Sequence, residues 1–303
     1  MTTFKPMLAA SEIPAPDAIQ FPLLASFKLD GIRCPIIDDV AVSRKLLPLP
    51  NMHFQQWVAS HAEHLNGKDG EVVVGAPSGD NVMYRTSSGI MSRDGQPDFK
   101  LYVFDDHSLP TLTAHERHLR LQGWYADLPA EVKARVELLA QEAVYDIDGL
   151  KQKMDIAMDM GFEGLILKHP HRFYKFGRST VMEGTLLKWK EFMDAEAVVL
   201  EVIEGETNTN KLEQDALGHA KRSSAKAGKV KNGTCGGFRV HSEQFGEFYV
   251  APGSMTAAQS KEIWATRAEK IGKHITYKYQ PYGVLKYPRF PGWKCFRDNI
   301  DFD

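Results

Sequence analysis

The chain has 303 residues, 43% of them hydrophobic and 25% charged, and a formal net charge of −2. That is the composition of a globular protein with a buried core, large enough for one big domain or two ordinary ones, and it excludes a fibrous or disordered chain. The three cysteines (Cys34, Cys235, Cys295) are far apart and form no CxxC pair. That excludes a disulfide scaffold and a cysteine zinc site, and suits a reducing cytoplasm. No apolar run is long enough to span a bilayer, the start MTTFKPMLAA lacks a signal-peptide pattern, and the eleven histidines form no metal signature.

In chain order, residues 23–28 and 33–42 read as strands around an Asp30-Gly31 turn, where glycine is expected to take a positive φ. A helix is expected over 51–65, stopping at Gly67, and short apolar strands over 72–74 and 101–104. Pro129 opens an expected helix through about residue 143. A second runs over 148–160 to Gly161, before a buried strand at 164–168 and another at 186–190. Beyond Lys190 the pattern changes. Strands are expected at 195–203, 237–241, 247–250 and 274–282, with one helix over 256–270 ending at Gly272. Several strands and one helix in about a hundred residues fit a small β-barrel. The expected division is 1–193 and 194–303, and the expected class is α+β, with antiparallel sheets and flanking helices preceding the barrel.

The run Lys28-Leu29-Asp30-Gly31-Ile32-Arg33 succeeds an apolar stretch, 21–27. A lysine attacks an electrophile only as the neutral amine, which apolar surroundings and neighbouring cations favour. Taken alone, the hexapeptide reads equally well as two surface cations beside a turn. Five downstream motifs weigh against that: Ser43-Arg44, Asp69-Gly70-Glu71, Tyr102-Val103-Phe104-Asp105, Glu163-Gly164 and Leu187-Lys188-Trp189-Lys190. A nucleophile, two carboxylates for a divalent ion or a ribose, an aromatic face for a base and two same-face lysines for a phosphate make a nucleotidyl-transfer set. Near residue 221 the chain reads KRSSAKAGKVK, with Lys221, Arg222, Lys226, Lys229 and Lys231 and no acidic residue, which taken alone is better read as a solvated surface loop and otherwise as a mobile loop able to track a phosphate backbone.

With these motifs in this order, nearly the whole chain resembles the covalent nucleotidyltransferase superfamily, and within it the compact bacteriophage type of ATP-dependent DNA ligase. Lys5-Pro6-Met7-Leu8-Ala9, Tyr174-Lys175-Phe176-Gly177-Arg178-Ser179 and Arg289-Phe290-Pro291 with Phe296-Arg297-Asp298 extend the likeness. The resemblance implies an adenylation domain and, after it, an OB-fold domain, with ATP and Mg²⁺ (or Mn²⁺) as cofactors and nicked double-stranded DNA as partner. It also implies a monomer without membrane attachment, in the host cytoplasm if phage-encoded.

By the same resemblance Lys28 forms the lysyl-AMP bond, and Phe104 stacks on adenine. Glu71 and Arg33 lie at the ribose, and Glu163 binds the metal. Lys188 and Lys190 meet the α-phosphate and help keep Lys28 neutral. Arg297 orients the pyrophosphate, with Lys294 and Arg289 as other candidates because the basic residue that often comes after Arg-x-Asp is missing. Arg44, Arg178, Lys221, Arg222 and Lys226 face DNA. An mRNA capping guanylyltransferase, an RNA ligase and a non-catalytic OB-fold nucleic-acid-binding protein remain the alternatives. A NAD⁺-dependent ligase is disfavoured by the early position of Lys28 and the missing cysteine quartet.

Overall fold

The computed structural model describes residues 4–12, 14–214, 220–280 and 287–297. Two compact units divide the chain, with the change of unit at Lys190 and Glu191.

In chain order the first unit contains β1 (Leu23–Phe27), β2 (Ile32–Ile37), β3 (Val40–Ala41), α1 (Met52–Ser60), α2 (Ala62–Leu65), β4 (Lys68–Val74), α3 (Val82–Ile90) and β5 (Phe99–Asp106). It continues with α4 (Ala114–Asp127), α5 (Ala130–Lys133), β6 (Val136–Leu138), β7 (Glu142–Val144), α6 (Ile147–Asp159), β8 (Leu165–Lys168) and β9 (Leu186–Trp189). The strands form two sheets, β3-β2-β4-β5-β6 and β7-β1-β8-β9.

Strands β1 and β2 are neighbours in sequence but lie in different sheets, so the Asp30-Gly31 segment is a crossover and not a hairpin turn. Gly31 also differs from expectation, because its φ is not in the left-handed region. A Cβ at this residue would meet Val72 O at 2.6 Å and Val73 Cγ2 at 2.8 Å. Glycine is needed because the crossover presses against β4.

Alternation along β4 divides its side chains between two cores. Val72 joins Phe54, Val58, Leu101 and Leu121 beneath the helices, while Val73 joins Leu23, Leu165, Leu167 and Met154 between the sheets. The helix expected over 129–143 is confined to α5. Val136 and Leu138 instead pair in parallel with Leu101 and Val103 of β5, and Glu142–Val144 pair with β1. Val136 is fully buried, and sheet pairing at that edge outweighs the helical propensity of the surrounding Ala, Glu and Leu residues. Helices α3 and α4 had no sequence expectation, although α4 starts with a capping box in which the Thr113 and Glu116 side chains each bond the other's backbone. Helix α6 is capped by Asp146 and ends before Gly161, whose φ is +74°.

The second unit holds β10 (Met193–Asn208), β11 (Leu212–Gln214), β12 (Ala220–Arg222), β13 (Lys229–Ser242), β14 (Gly246–Val250), α7 (Ala257–Ala265), α8 (Arg267–Lys270), β15 (His274–Gln280) and β16 (Arg289–Phe296). Five strands make one sheet in the order β14-β13-β10-β15-β16. Its edges approach one another where Ala251 bridges Gly292, with Ala251 N–H donating to Pro291 O and Trp293 N–H to Ala251 O, each at 2.9 Å. The barrel is thus partly closed around Phe238, Val240, Ile275, Tyr277 and Ile263 of α7. The single helix expected over 256–270 is broken at Thr266. The basic run is not the irregular loop its composition suggests. Lys221 and Arg222 lie on β12, Lys229 and Lys231 on β13, and Asn210 ties the intervening turn to the carbonyls of Ser223 and Ala225 at 2.9 Å. Residues 281 and 282 of the expected last strand, and Asp298, fall outside the described residues.

Gly31→Ala, which sets a methyl group against the β4 backbone, is expected to lower unfolding free energy by about 1–3 kcal/mol. The midpoint of urea denaturation measures this. An unchanged midpoint would mean that the crossover can move away from β4.

Candidate active site

A cleft of about 310 Å³ opens between the two sheets of the first unit. Its lining brings together Lys28, Arg33, Arg44, Glu71, Phe104, Arg178, Lys188 and Lys190, residues that are widely separated along the chain. The four-stranded sheet supplies Lys28, just past β1, and Lys188 and Lys190 at the end of β9. The five-stranded sheet supplies Arg33 on β2, Glu71 on β4 and Phe104 on β5.

Glu163 is the charged link on the first of these sheets. It is buried, and its two carboxylate oxygens each take one lysine, Oε2 the Lys28 ammonium and Oε1 that of Lys190. The backbone fixes this meeting. Lys28 N–H donates to Gly164 O at 2.8 Å, and Glu163 N–H to Lys28 O at 3.4 Å. Gly164 has a φ of +145°, and a Cβ there would lie 2.3 Å from Trp189 O, so glycine lets β8 and the Lys190 backbone come together. The residues preceding the ion pair, Phe27 and Phe162, stack with ring centroids 4.6 Å apart, and Lys153 from α6 lies 5.0 Å over the Phe27 ring. Lys188 sits below its ordinary pKa through partial burial, with Arg178 and Lys28 as neighbouring cations.

On the other sheet, Arg33 and Glu71 are cross-strand partners. Arg33 turns its guanidinium to Asp69, with bonds of 2.6 and 2.5 Å, and lies 4.6 Å over the Phe104 ring. Burial alone would lower its pKa, but the Asp69 carboxylate more than offsets this and raises it. Burial pushes Glu71 up to about 7, aided by Asp69 and Asp30 and opposed by Lys28 and Arg33.

Five buried residues around this site, Asp69, Tyr174, Asp105, Arg117 and Lys168, have no role assigned from the sequence. Asp69 accepts from Arg33 and, at 2.7 Å, from the Tyr174 hydroxyl, which itself accepts from Met7 N–H at 3.1 Å. Asp105 pairs with Arg117 at 2.6 Å and with Lys168 at 2.8 Å, and Lys168 also donates to Phe104 O at 2.9 Å. Burial would raise the Asp105 pKa, yet its two cations hold it well below the usual carboxylate range. The signal for Asp69 was present in Asp-Gly-Glu, since side chains two apart on a strand share a face. Nothing local marks Arg117, because its partner lies on another element.

Arg178 donates to Ala9 O at 2.8 Å while lining the cleft. The other expected residues belong to the second unit. There Arg297 pairs with Glu196, and Lys221, Arg222 and Lys226 are exposed. The acidic-free basic run acquires a carboxylate from β10, where Glu206 lies 3.0 Å from Lys231 and 4.0 Å from Lys229. Among the described residues no group of three or more His, Cys, Asp or Glu could hold a metal ion. Glu163 is the carboxylate paired directly with Lys28, and a lone carboxylate of this kind fits a hard cation that takes most of its ligands from water and substrate phosphates. The cleft thus combines an amine, an aromatic wall, a carboxylate near neutrality and clustered cations, a set suited to nucleotidyl transfer.

Comparisons with known proteins agree with that chemistry. Residues 6–190 match the sequence model of the ATP dependent DNA ligase domain, and residues 227–297 that of the DNA ligase OB-like domain. No curated protein matches the chain. Among solved structures, the Chlorella virus DNA ligase-adenylate is similar at 27% identity and a TM-score of 0.56, with 98% of this chain and 100% of that one covered. A Lig E DNA ligase shares the fold at 22% identity and a TM-score of 0.67, covering 98% and 100%. The bacteriophage T7 ATP-dependent DNA ligase in complex with ATP shares it at 18% identity and a TM-score of 0.50, covering 97% and 98%. With its family match extending over residues 6–190, more than half of the chain, the chain belongs to the ATP-dependent DNA ligase family.

Proposed function

We propose that this ligase seals nicks in duplex DNA with Lys28 as its nucleophile. The observation that carries the assignment is the bridging by Glu163 of Lys28 and Lys190, two lysines that line the same cleft as Phe104. In that ion pair Lys28 is an ammonium without a lone pair, so Glu163 must release it before attack. Glu163 would hold a divalent cation such as Mg²⁺, which would supply positive charge to offset that of the phosphates.

In the first step the deprotonated Lys28 Nζ forms a bond to the α-phosphorus, and the bond from that phosphorus to pyrophosphate breaks. A 5′-phosphate oxygen at the nick then attacks the same phosphorus, and the N–P bond to Lys28 breaks. Finally the 3′-hydroxyl attacks the adenylated 5′-phosphate, closing the strand and releasing AMP. All three steps build charge around phosphorus, which Lys188 and Lys190 offset electrostatically. Phe104 offers its ring to adenine and Glu71 its carboxylate to the ribose. Arg44 and Arg178, at the cleft, face the nick, and Arg297 acts on the pyrophosphate in the first step. Lys221, Arg222 and Lys226 hold the DNA backbone. Buried thiols at Cys34 and Cys235 support a cytoplasmic location, and a single copy suffices for the three steps.

Lys28→Ala is expected to abolish covalent labelling by α-labelled ATP with Mg²⁺. Persistent labelling, or labelling of the wild type by GTP in place of ATP, would overturn the assignment. Since Glu71 titrates near pH 7, its acceptor charge is lost as pH falls through that value. The KM for ATP in self-adenylation is therefore expected to rise between about pH 8 and pH 6. Glu71→Gln should flatten that profile, and an unchanged profile in the variant would remove Glu71 from the ribose site. Replacing Lys221, Arg222 and Lys226 by glutamine should weaken nick binding and reduce the slope of log K against log salt by about 2–3, with self-adenylation intact. Equal loss of both activities would mark these residues as structural.

A further inference from the structure

Phe104 is held in two ways. Arg33 covers one face of its ring at 4.6 Å, which leaves the opposite face for a ligand. Its carbonyl accepts from Lys168 Nζ at 2.9 Å and from Gln141 Nε2 at 2.7 Å. Each hold leads into a buried cluster. Arg33 is fixed by Asp69, and Asp69 by the Tyr174 hydroxyl. Lys168 is fixed by Asp105, and Asp105 by Arg117. The clusters meet where the Arg117 guanidinium lies 5.4 Å from the centre of the Tyr174 ring. The contacts form a closed circuit from the Phe104 ring through Arg33, Asp69, Tyr174, Arg117, Asp105 and Lys168 to the Phe104 carbonyl.

We propose that Tyr174 and Lys168 are positioning residues for the nucleotide base, closing two buried ion-pair clusters into one circuit that fixes both the ring and the backbone of Phe104. The proposal rests on the reading of Phe104 as the base wall. Two observations favour positioning over plain stability. Asp69, Asp105, Arg117, Lys168 and Tyr174 are all more than nine-tenths buried, and buried charges of this kind stabilise a fold no better than apolar packing while specifying geometry. Lys168 also ends β8 of the four-stranded sheet but bonds Phe104 and Asp105 on β5 of the other, so it spans the two sides of the cleft.

Tyr174→Phe keeps the ring over Arg117 and deletes the hydroxyl that joins Asp69 to Met7. Lys168→Met deletes the tie to the Phe104 carbonyl. In self-adenylation each is expected to raise the KM for ATP about three- to tenfold, the scale of one lost buried hydrogen bond. The kcat and the inhibition by inorganic tripolyphosphate, which carries no base, should stay within about twofold on the same scale. Lys168→Arg, which retains a donor and a charge, should raise KM less than Lys168→Met. Weakened tripolyphosphate inhibition in step with the KM for ATP would overturn the proposal in favour of a general structural role. Phe104→Ala distinguishes loss of the positioning from loss of the wall itself. If it raises the KM for ATP while Tyr174→Phe and Lys168→Met do not, the positioning proposal fails alone. If Phe104→Ala leaves KM unchanged, the base wall itself is misassigned and the proposal fails with it.

Discussion

Two carboxylates removed from water, Asp69 and Asp105, set the terms for the rest of the first unit. Neither is exposed by more than 1%, and an unpaired charge at such depth is strongly unfavourable. Each therefore requires cations at short range, and the cations come from elsewhere in the chain: Arg33 for one, Arg117 and Lys168 for the other. Because those side chains must arrive from β2, α4 and β8, meeting the electrostatic demand also arranges the walls of the cleft. The reactive groups then lie above a foundation whose geometry has few alternatives.

The chemistry above that foundation is a competition for one carboxylate. Glu163 holds two ammonium groups, and ATP with a cation presents the same cluster with a different balance of charge. In the proposed mechanism, phosphates beside Lys188 and Lys190 would give those lysines new anionic partners, and a divalent ion would give Glu163 a stronger one. In the same mechanism that exchange of partners would free Lys28 when a phosphorus centre is near. The resting ion pairs and the proposed reactive arrangement are thus two distributions of the same charges.

Much of this arrangement is legible in the sequence, though unevenly. The residues lining the cleft can be named because they occur in short runs whose spacing carries meaning, such as Lys-x-Asp-Gly-x-Arg and Lys-x-Lys. The strands carrying them can be named as well, since four to seven apolar residues between turn formers leave little choice. The stretch 129–143 misleads because Ala, Glu and Leu favour a helix locally, while the open edges of β5 and β1 decide the outcome from a distance. Arg117 is invisible for a related reason, since a charged residue inside an amphipathic helix looks solvated until its partner is known. Gly31 stands out in the sequence for a turn-type backbone angle, whereas its role is the missing side chain.

The crossover between β1 and β2 also works as a ruler. Lys28 and Arg33 are five peptide units apart, which at full extension spans roughly 17 Å, and one end borders the four-stranded sheet while the other lies over the Phe104 ring. Whatever motion opens the cleft, the Cα atoms of Lys28 and Arg33 cannot separate beyond that length, and contact of Gly31 with β4 limits how far the crossover can shift inward. One added or deleted residue in this short span would alter the calibration between nucleophile and nucleotide while leaving every reactive side chain in place. The hexapeptide is in this sense a measuring device as well as a bearer of reactive groups, and its length is as much a part of the chemistry as its lysine.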